Sequence, residues 1–133
     1  MSKKRIVTYN NGETIIKIDD VEKRMYIILS GEVEISLTDG IKHITLAVLK
    51  KNDFFGEISL FNDLPRSATA VAKGTVKLTY LNSVGEMDEF MKHNPKFTRE
   101  MVKVLTSRLA KTDELLKKEL GGKSKAKLTG FLW

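Results

Sequence analysis

Short runs of alternating polar and apolar residues, separated by turn signals, fill the first 81 residues of the chain. Glu32–Leu37 reads Glu-Val-Glu-Ile-Ser-Leu, and this period of two is the pattern of a strand with one buried face. Asp39-Gly40 comes next, and an Asp-Gly pair between two such runs is a strong hairpin signal because both residues can adopt positive φ. The other strand-like runs are Arg5–Tyr9, Glu13–Ile18, Met25–Ser30, Ile41–Leu49, Arg66–Ala72 and Thr75–Leu81. Since no long helical segments alternate with these strands, the sequence predicts an antiparallel β-roll of the jelly-roll kind.

The apolar spacing becomes helical after Asn82. Ser83 with Glu86 three residues later is typical of a capping box, which predicts a short helix that ends near Asn94-Pro95. Apolar residues at near-helical spacing then predict a long helix over about 95–120. The expected fold is mainly β with C-terminal helices: a roll over about residues 5–81, then a short and a long helix over about 83–120. We expect residues 1–120 to form one domain and 121–133 a basic and apolar tail.

Composition limits the chemistry that this chain can perform. The 133 residues include no cysteine, which excludes a disulfide framework, a thiolate zinc site and a cysteine nucleophile. The two histidines, His43 in a predicted strand and His93 in a predicted helix, do not suit the histidine-rich metal site of a cupin-type enzyme. No pairing of a nucleophile with a base stands out. We therefore expect no enzyme activity, no catalytic residue, no metal and no cofactor.

The sequence also bears on location and on nucleic-acid binding. No apolar run approaches the ~20 residues of a membrane span, and Met1–Arg5 leads into no signal-peptide core; the expectation is a cytoplasmic protein without membrane contact. Residues 1–91 carry 12 basic and 13 acidic side chains, whereas 92–133 carry 11 and 4. The basic excess favours either an acidic partner or a solvated helix face with a basic tail. Because only 13 residues follow the predicted long helix, too few for a helix-turn-helix, we expect no direct DNA binding.

One segment, Asp53–Ala70, combines residues suited to a ligand that carries both a phosphate and a hydroxyl. Gly56 permits a tight turn or a close backbone approach. Glu57–Phe61 can form one helical turn whose free N–H groups face an anion. The guanidinium of Arg66 is a planar fork that can bind phosphate through two hydrogen bonds. On these residues alone, the alternative is a surface ion pair between Glu57 and Arg66 that contributes little energy.

The string Phe55-Gly56-Glu57-Ile58-Ser59-Leu60, followed by Pro65-Arg66-Ser67-Ala68-Thr69, resembles the phosphate-binding cassette of the cyclic-nucleotide-binding domain family. That family includes the catabolite activator protein, the regulatory subunits of protein kinase A and cyclic-nucleotide-gated channels. Gly12–Ile16 and Met25–Val33 resemble the early strands of the family, so the likeness covers residues 5 to about 120. The chain departs from the family at Ile18-Asp19-Asp20, where a Gly-Asp turn is usual. This departure puts the conformation of a loop in question and not the pocket.

The resemblance implies a regulatory sensor that binds a 3′,5′-cyclic nucleotide as its ligand. Arg66 would pair with the cyclic phosphate, and Glu57 would accept a hydrogen bond from the ribose 2′-OH. The ligand-binding positions that it implies are Gly56, Glu57, Ile58, Ser59, Arg66, Ser67 and Ala68. Members that prefer cyclic GMP tend to have Thr after the cassette arginine. Because Ser67 has the hydroxyl but not the methyl group, we expect cyclic AMP to be favoured over cyclic GMP.

The resemblance also implies that the long helix closes over the base when ligand binds. The candidate base and lid contacts are Val71, Leu105, Arg108, Leu109 and Thr112. The alternative for the apolar face of this helix is ordinary packing against the roll, or contact with a second copy in a homodimer or with a protein partner. Two other functions stay open: an interaction or dimerisation module that binds no nucleotide, and the sensor part of a larger regulator whose output domain is absent.

Overall fold

The computed structural model describes residues 5–38 and 40–121, and within them the chain forms six strands and three helices. The strands are β1 (Ile6–Tyr9), β2 (Thr14–Ile16), β3 (Met25–Thr38), β4 (His43–Leu49), β5 (Phe54–Phe55) and β6 (Thr69–Leu81). The helices are α1 (Glu57–Asn62), between β5 and β6, followed after β6 by α2 (Val84–His93) and α3 (Pro95–Gly121). This antiparallel roll with C-terminal helices confirms the expected fold class. Residues 122–133, most of the predicted tail, lie outside the described residues.

The two long strands β3 and β6 pair with each other and organise the sheet. β1 and β2 pair with β6, β4 and β5 pair with β3, and every pairing is antiparallel. The sequence predicted two separate strands in place of each long one. Gly31 and Gly74 adopt φ of 89° and 76°, and the β3–β6 register shifts on both sides of Ser30. Strands β3 and β6 therefore bend at these irregularities and continue, where the sequence predicted that each would end and a new strand begin.

Two apolar clusters lie on opposite sides of the first half of β3. Tyr26 and Ile28 pack inside the roll, whereas Met25 and Ile27 pack toward the helices with Phe54, Leu60, Met87 and Met101. This part of β3 is covered on both faces, which explains why Met25–Ile28 reads as a continuous apolar run. The second cluster attaches α2 and the first half of α3 to β5, immediately before the candidate site.

The start of α2 agrees with the predicted cap. The Ser83 side chain accepts a hydrogen bond from the Glu86 backbone N–H at 3.1 Å. The Glu86 carboxylate accepts from the backbone N–H of Asn82 at 2.9 Å and from the Arg5 guanidinium at 2.5 and 2.8 Å. The first strand is thereby fastened to the helix that follows the roll. Among the described helices, none combines the length and apolar character needed to span a membrane.

Candidate functional site

The turn from β5 into α1 depends on Gly56. This residue adopts φ 91°, and its carbonyl accepts a hydrogen bond from Nη1 of Arg66 at 3.0 Å. A Cβ atom at this position would lie 2.7 Å from the Arg24 carbonyl oxygen and 2.9 Å from Nη1 of Arg66. Both the backbone conformation and the surrounding space therefore require glycine.

A pocket lies between this turn, the start of β6 and the wall of the roll. Six of the seven predicted ligand-binding residues line it: Gly56, Ile58, Ser59, Arg66, Ser67 and Ala68. The rest of the lining comes from Ile16, Ile35, Phe55, Thr69 and Ala70. The interior volume is about 20 Å³, which is room for about one water molecule. The structure thus brings the cassette residues together around a narrow pocket.

The Arg66 side chain is buried, with the residue 3% exposed, and is held by protein oxygens. Besides the Gly56 carbonyl, its Nη2 donates to the Arg24 carbonyl at 2.7 Å and lies 3.3 Å from the Glu22 carboxylate. Within the described chain its Nε has no hydrogen-bond partner. Burial lowers the pKa of Arg66, and the nearby charge of Glu22 opposes that shift. One donor of a buried guanidinium is therefore unused.

The backbone of Arg66 is fastened to the loop that departs from the family pattern. Its N–H donates to the Asp20 carbonyl at 2.7 Å, and its own carbonyl accepts from the Asp19 N–H at 2.9 Å. Asp19 adopts φ 73°, a left-handed conformation that aspartate tolerates better than most residues. Asp19 thus takes a conformation that glycine would adopt readily, and the loop still positions Arg66.

Sequence reasoning missed Glu22. Its carboxylate accepts hydrogen bonds from the Tyr26 hydroxyl and from Nη2 of Arg66, each at 3.3 Å. The same carboxylate lies 4.0 Å from Nε of Arg24. The sequence showed only a polar stretch between two strands. Glu22 and Arg66 are 44 positions apart, so no local pattern could have paired them.

Glu57 is as buried as Arg66, at 3% exposure, but the two side chains have different partners. Oε2 of Glu57 lies 3.4 Å from Nη1 of Arg108, and Oε1 has no hydrogen-bond partner within the described residues. Burial raises the pKa of Glu57 even though Arg108 and Arg66 favour its charged form. A surface ion pair between Glu57 and Arg66 is therefore not what the structure contains.

Arg108 extends from α3 into the space behind the cassette and is 6% exposed. Its Nη2 donates to the Phe54 carbonyl at 2.8 Å, and its guanidinium carbon lies 4.7 Å from the centre of the Phe54 ring. Burial lowers the pKa of Arg108, and Glu57 opposes the shift. This predicted lid residue thus connects α3 to β5 and to Glu57.

None of the five candidate lid residues, Arg108 included, lines the pocket. Leu105 packs against the cluster between the roll and the helices, and Leu109 is largely exposed. The Thr112 hydroxyl donates to the Arg108 carbonyl within α3 at 3.0 Å. Val71 pairs with Thr14 and Glu34 in the sheet. Helical spacing identified the apolar positions of α3 but not which of them meet the site.

Comparison with known proteins assigns this arrangement to a family. The family model for the cyclic nucleotide-binding domain matches residues 6–94, which include both strings of the cassette. The chain belongs to the cyclic nucleotide-binding domain family. It is 32% identical over 114 residues to the cAMP-dependent protein kinase type II regulatory subunit of Drosophila melanogaster, a match that covers 80% of this chain and 30% of that protein. It is also 28% identical over 130 residues to the global nitrogen regulator of Nostoc sp. PCC 7120. That match covers 96% of this chain and 58% of the regulator.

Solved structures show the same fold. The Thermus thermophilus catabolite activator protein matches with a TM-score of 0.74 and 28% identity over 86% of this chain and 54% of that chain. The structure described as cAMP-bound PfPKA-R matches with a TM-score of 0.57 and 35% identity. This match covers 59% of this chain and 28% of that chain. This chain spans less than two thirds of the length of each of these four relatives. By family, it is a cyclic nucleotide-binding domain.

Proposed function

We propose that this domain is a sensor for a 3′,5′-cyclic nucleotide, that it favours cyclic AMP over cyclic GMP, and that ligand binding closes α3 over the base. The observation that carries the proposal is the state of Arg66, which lines the pocket and has one donor without a partner in the described chain. A buried guanidinium with an unused N–H is suited to a phosphate oxygen. The backbone N–H groups of Ser59, Ser67 and Ala68 would complete the phosphate site.

In this proposal Glu57 binds the ribose. Its Oε1 is buried without a partner among the described residues, so a ribose hydroxyl that donates to it would offset part of the cost of its burial. The same carboxylate contacts Arg108 through Oε2. Ligand binding at Glu57 would therefore act on a residue of α3, which supports a link between the pocket and the helix.

The proposal requires the pocket to widen, because about 20 Å³ is far below the ~300 Å³ at the lower end of small-molecule sites. The wall that we expect to move is α1, a helix of six residues with left-handed residues at both ends, Gly56 and Asp63. A second adjustable contact is the one between Arg66 and Glu22, since Glu22 belongs to an exposed loop. Movement of these two elements would widen the pocket for the nucleotide.

Calorimetric titration with cyclic AMP and with cyclic GMP tests the proposal. We expect both to bind, with cyclic AMP tighter. Arg66→Ala should abolish binding, and Arg66→Lys should weaken it by at least about tenfold because an ammonium group lacks the planar fork. Arg99→Ala, on the exposed surface of α3, is the matched control and should bind as the wild type does.

Absence of binding to both nucleotides would overturn the proposal, and so would unchanged affinity in a folded Arg66→Ala protein. We further propose that the domain is not an enzyme. Chromatography after incubation with cyclic AMP should return the nucleotide intact.

We also propose that a second copy of the chain pairs along α3. Val102, Leu109 and Leu116 follow one another at seven-residue intervals and are 58%, 49% and 40% exposed. The seam of a two-helix coiled coil has two apolar positions in each heptad, and these three residues supply one of them. Sedimentation should therefore detect a dimer that Leu109→Glu dissociates and that Lys103→Glu, away from the seam, leaves intact. Because pairing depends on protein concentration, a wild-type monomer at the highest concentration that the experiment reaches would refute it.

A further inference from the structure

We propose that the domain has a second ligand site, distinct from the cassette, that takes an uncharged and mainly aromatic molecule bearing one hydroxyl or amide group. The site is a pocket of about 270 Å³ between α3 and the part of the roll formed by β3 and β5. Its apolar lining comes from Ile27, Phe54, Phe97, Met101 and Val104. None of these residues lines the cassette pocket, so this inference goes beyond the proposed function.

The walls of this second pocket are preformed. Ile27, Phe54 and Met101 are all buried in the cluster between the roll and the helices. The rings of Phe54 and Phe97 are fixed edge to face with their centres 6.1 Å apart. Met101 adds a polarisable thioether, which makes favourable contacts with aromatic rings. The site can therefore bind without reorganising its walls.

Volume and lining together indicate the class of ligand. A dry apolar cavity of ~150 Å³ accommodates benzene, so about 270 Å³ leaves room for two fused rings. An aromatic ligand also matches the two phenyl rings of the wall, since aromatic pairs attract beyond their buried area.

The polar residues of the pocket are Asn52, Lys96 and Glu100, all of which are exposed and so belong to its rim. Lys96 and Glu100 carry opposite charges, so together they offer no net attraction to a charged molecule. Asn52 contributes an amide that both donates and accepts hydrogen bonds. The rim therefore favours a neutral hydrogen-bonding group over an ionised one.

Titration of the methyl-labelled full chain with 2-naphthol, followed by NMR in the absence of nucleotide, tests this site. We expect saturable shifts at the methyl groups of Ile27, Met101 and Val104. The anion 2-naphthoate should bind at least about fivefold more weakly, because the site would have to desolvate its charge. Val104→Phe should fill the pocket and weaken 2-naphthol by at least about tenfold. Ala110→Phe, which adds the same ring at an exposed position of α3 outside both the pocket and the Val102–Leu109–Leu116 seam, should leave affinity within about twofold.

Shifts that do not saturate, or that map to the cassette, would overturn the proposal, as would wild-type affinity in Val104→Phe. If Val104→Phe does not fold, Asn52→Gly supplies the second variant, since Asn52 adopts φ 76° and glycine suits that backbone. It should remove the preference for 2-naphthol over naphthalene; an unchanged preference would refute the role of the rim amide. Because no nucleotide is present, failure here is separate from failure of the proposed function.

Discussion

Position 56 has no room for a side chain, so only glycine fits there. We expect Gly56→Ala to lower the free energy of unfolding by more than about 1 kcal/mol, because it adds a clash to the strain of positive φ. Gly12→Ala is the matched control: Gly12 adopts φ 85°, and a Cβ there would meet nothing within 4 Å. Urea unfolding of both variants isolates the clash. Equal losses would show that only backbone strain matters.

The burial of Glu57 makes the stability of the folded domain depend on pH. Because its pKa is raised in the folded state, the folded domain holds this proton more tightly than the unfolded chain. The stability contributed by protonated Glu57 is present below the ordinary glutamate pKa and is lost as pH rises through the folded-state pKa. The wild type should therefore lose stability relative to Glu57→Gln over that pH interval. Parallel unfolding profiles of wild type and Glu57→Gln would contradict this, with Glu114→Gln, an exposed site, as control.

The contact between Glu22 and Arg66 leads to a prediction that one substitution tightens nucleotide binding. Glu22 neutralises part of the positive charge of Arg66, the charge that the phosphate would meet in the proposed function. Glu22→Gln should therefore tighten cyclic AMP binding, by about threefold because a half-exposed ion pair is partly screened. Calorimetry checks this, with Glu32→Gln, at an exposed position of β3, as control. Weaker binding in Glu22→Gln would mean that Glu22 supports the bound state.

At the scale of the element, α3 has two different parts. Its first turns are anchored by Met101, and Arg108 ties the helix to Phe54 and Glu57. Past Arg108, the described side chains are exposed or partly exposed. The helix is therefore fixed near the roll and has few restraints toward its end.

This division predicts where ligand binding changes backbone dynamics. Saturating cyclic AMP should slow hydrogen exchange in residues 105–114 by several-fold if the helix closes over the base. Arg108→Gln should reduce that effect, since it removes the charged contact with Glu57, whereas the exposed Lys103→Gln should not. Exchange that is the same with and without nucleotide would indicate a static helix.

For the molecule as a whole, local patterns were sufficient to predict most strands and the helices that follow the roll. The Ser83 cap and the Asp-Gly hairpin signal depend on neighbours in sequence, and the pairing of β3 with β4 on either side of Gly40 agrees with the latter. The joining of strand pairs into β3 and β6 was missed, because a glycine within a strand and a glycine in a turn look alike in sequence.

The partners in the site could not be predicted from sequence. Glu57 and Arg108 are 51 positions apart, and only the packing of α3 against β5 brings them together. Leu109 and Thr112 share the apolar side of the predicted helix, yet neither lines the cassette pocket. A spacing pattern fixes the faces of a helix but not its rotation against the sheet.

The Glu22 carboxylate lies against Arg66 where the proposed function puts the phosphate of a nucleotide. On that proposal, the free energy that the nucleotide gains at Arg66 would be the difference between two anions, not the full attraction of an unpaired cation. Substitutions in the loop that carries Glu22 would then shift the concentration at which the proposed sensor responds while every residue lining the cassette pocket stays the same. Under the proposed function, different parts of the sequence would set the response threshold and the chemistry of recognition.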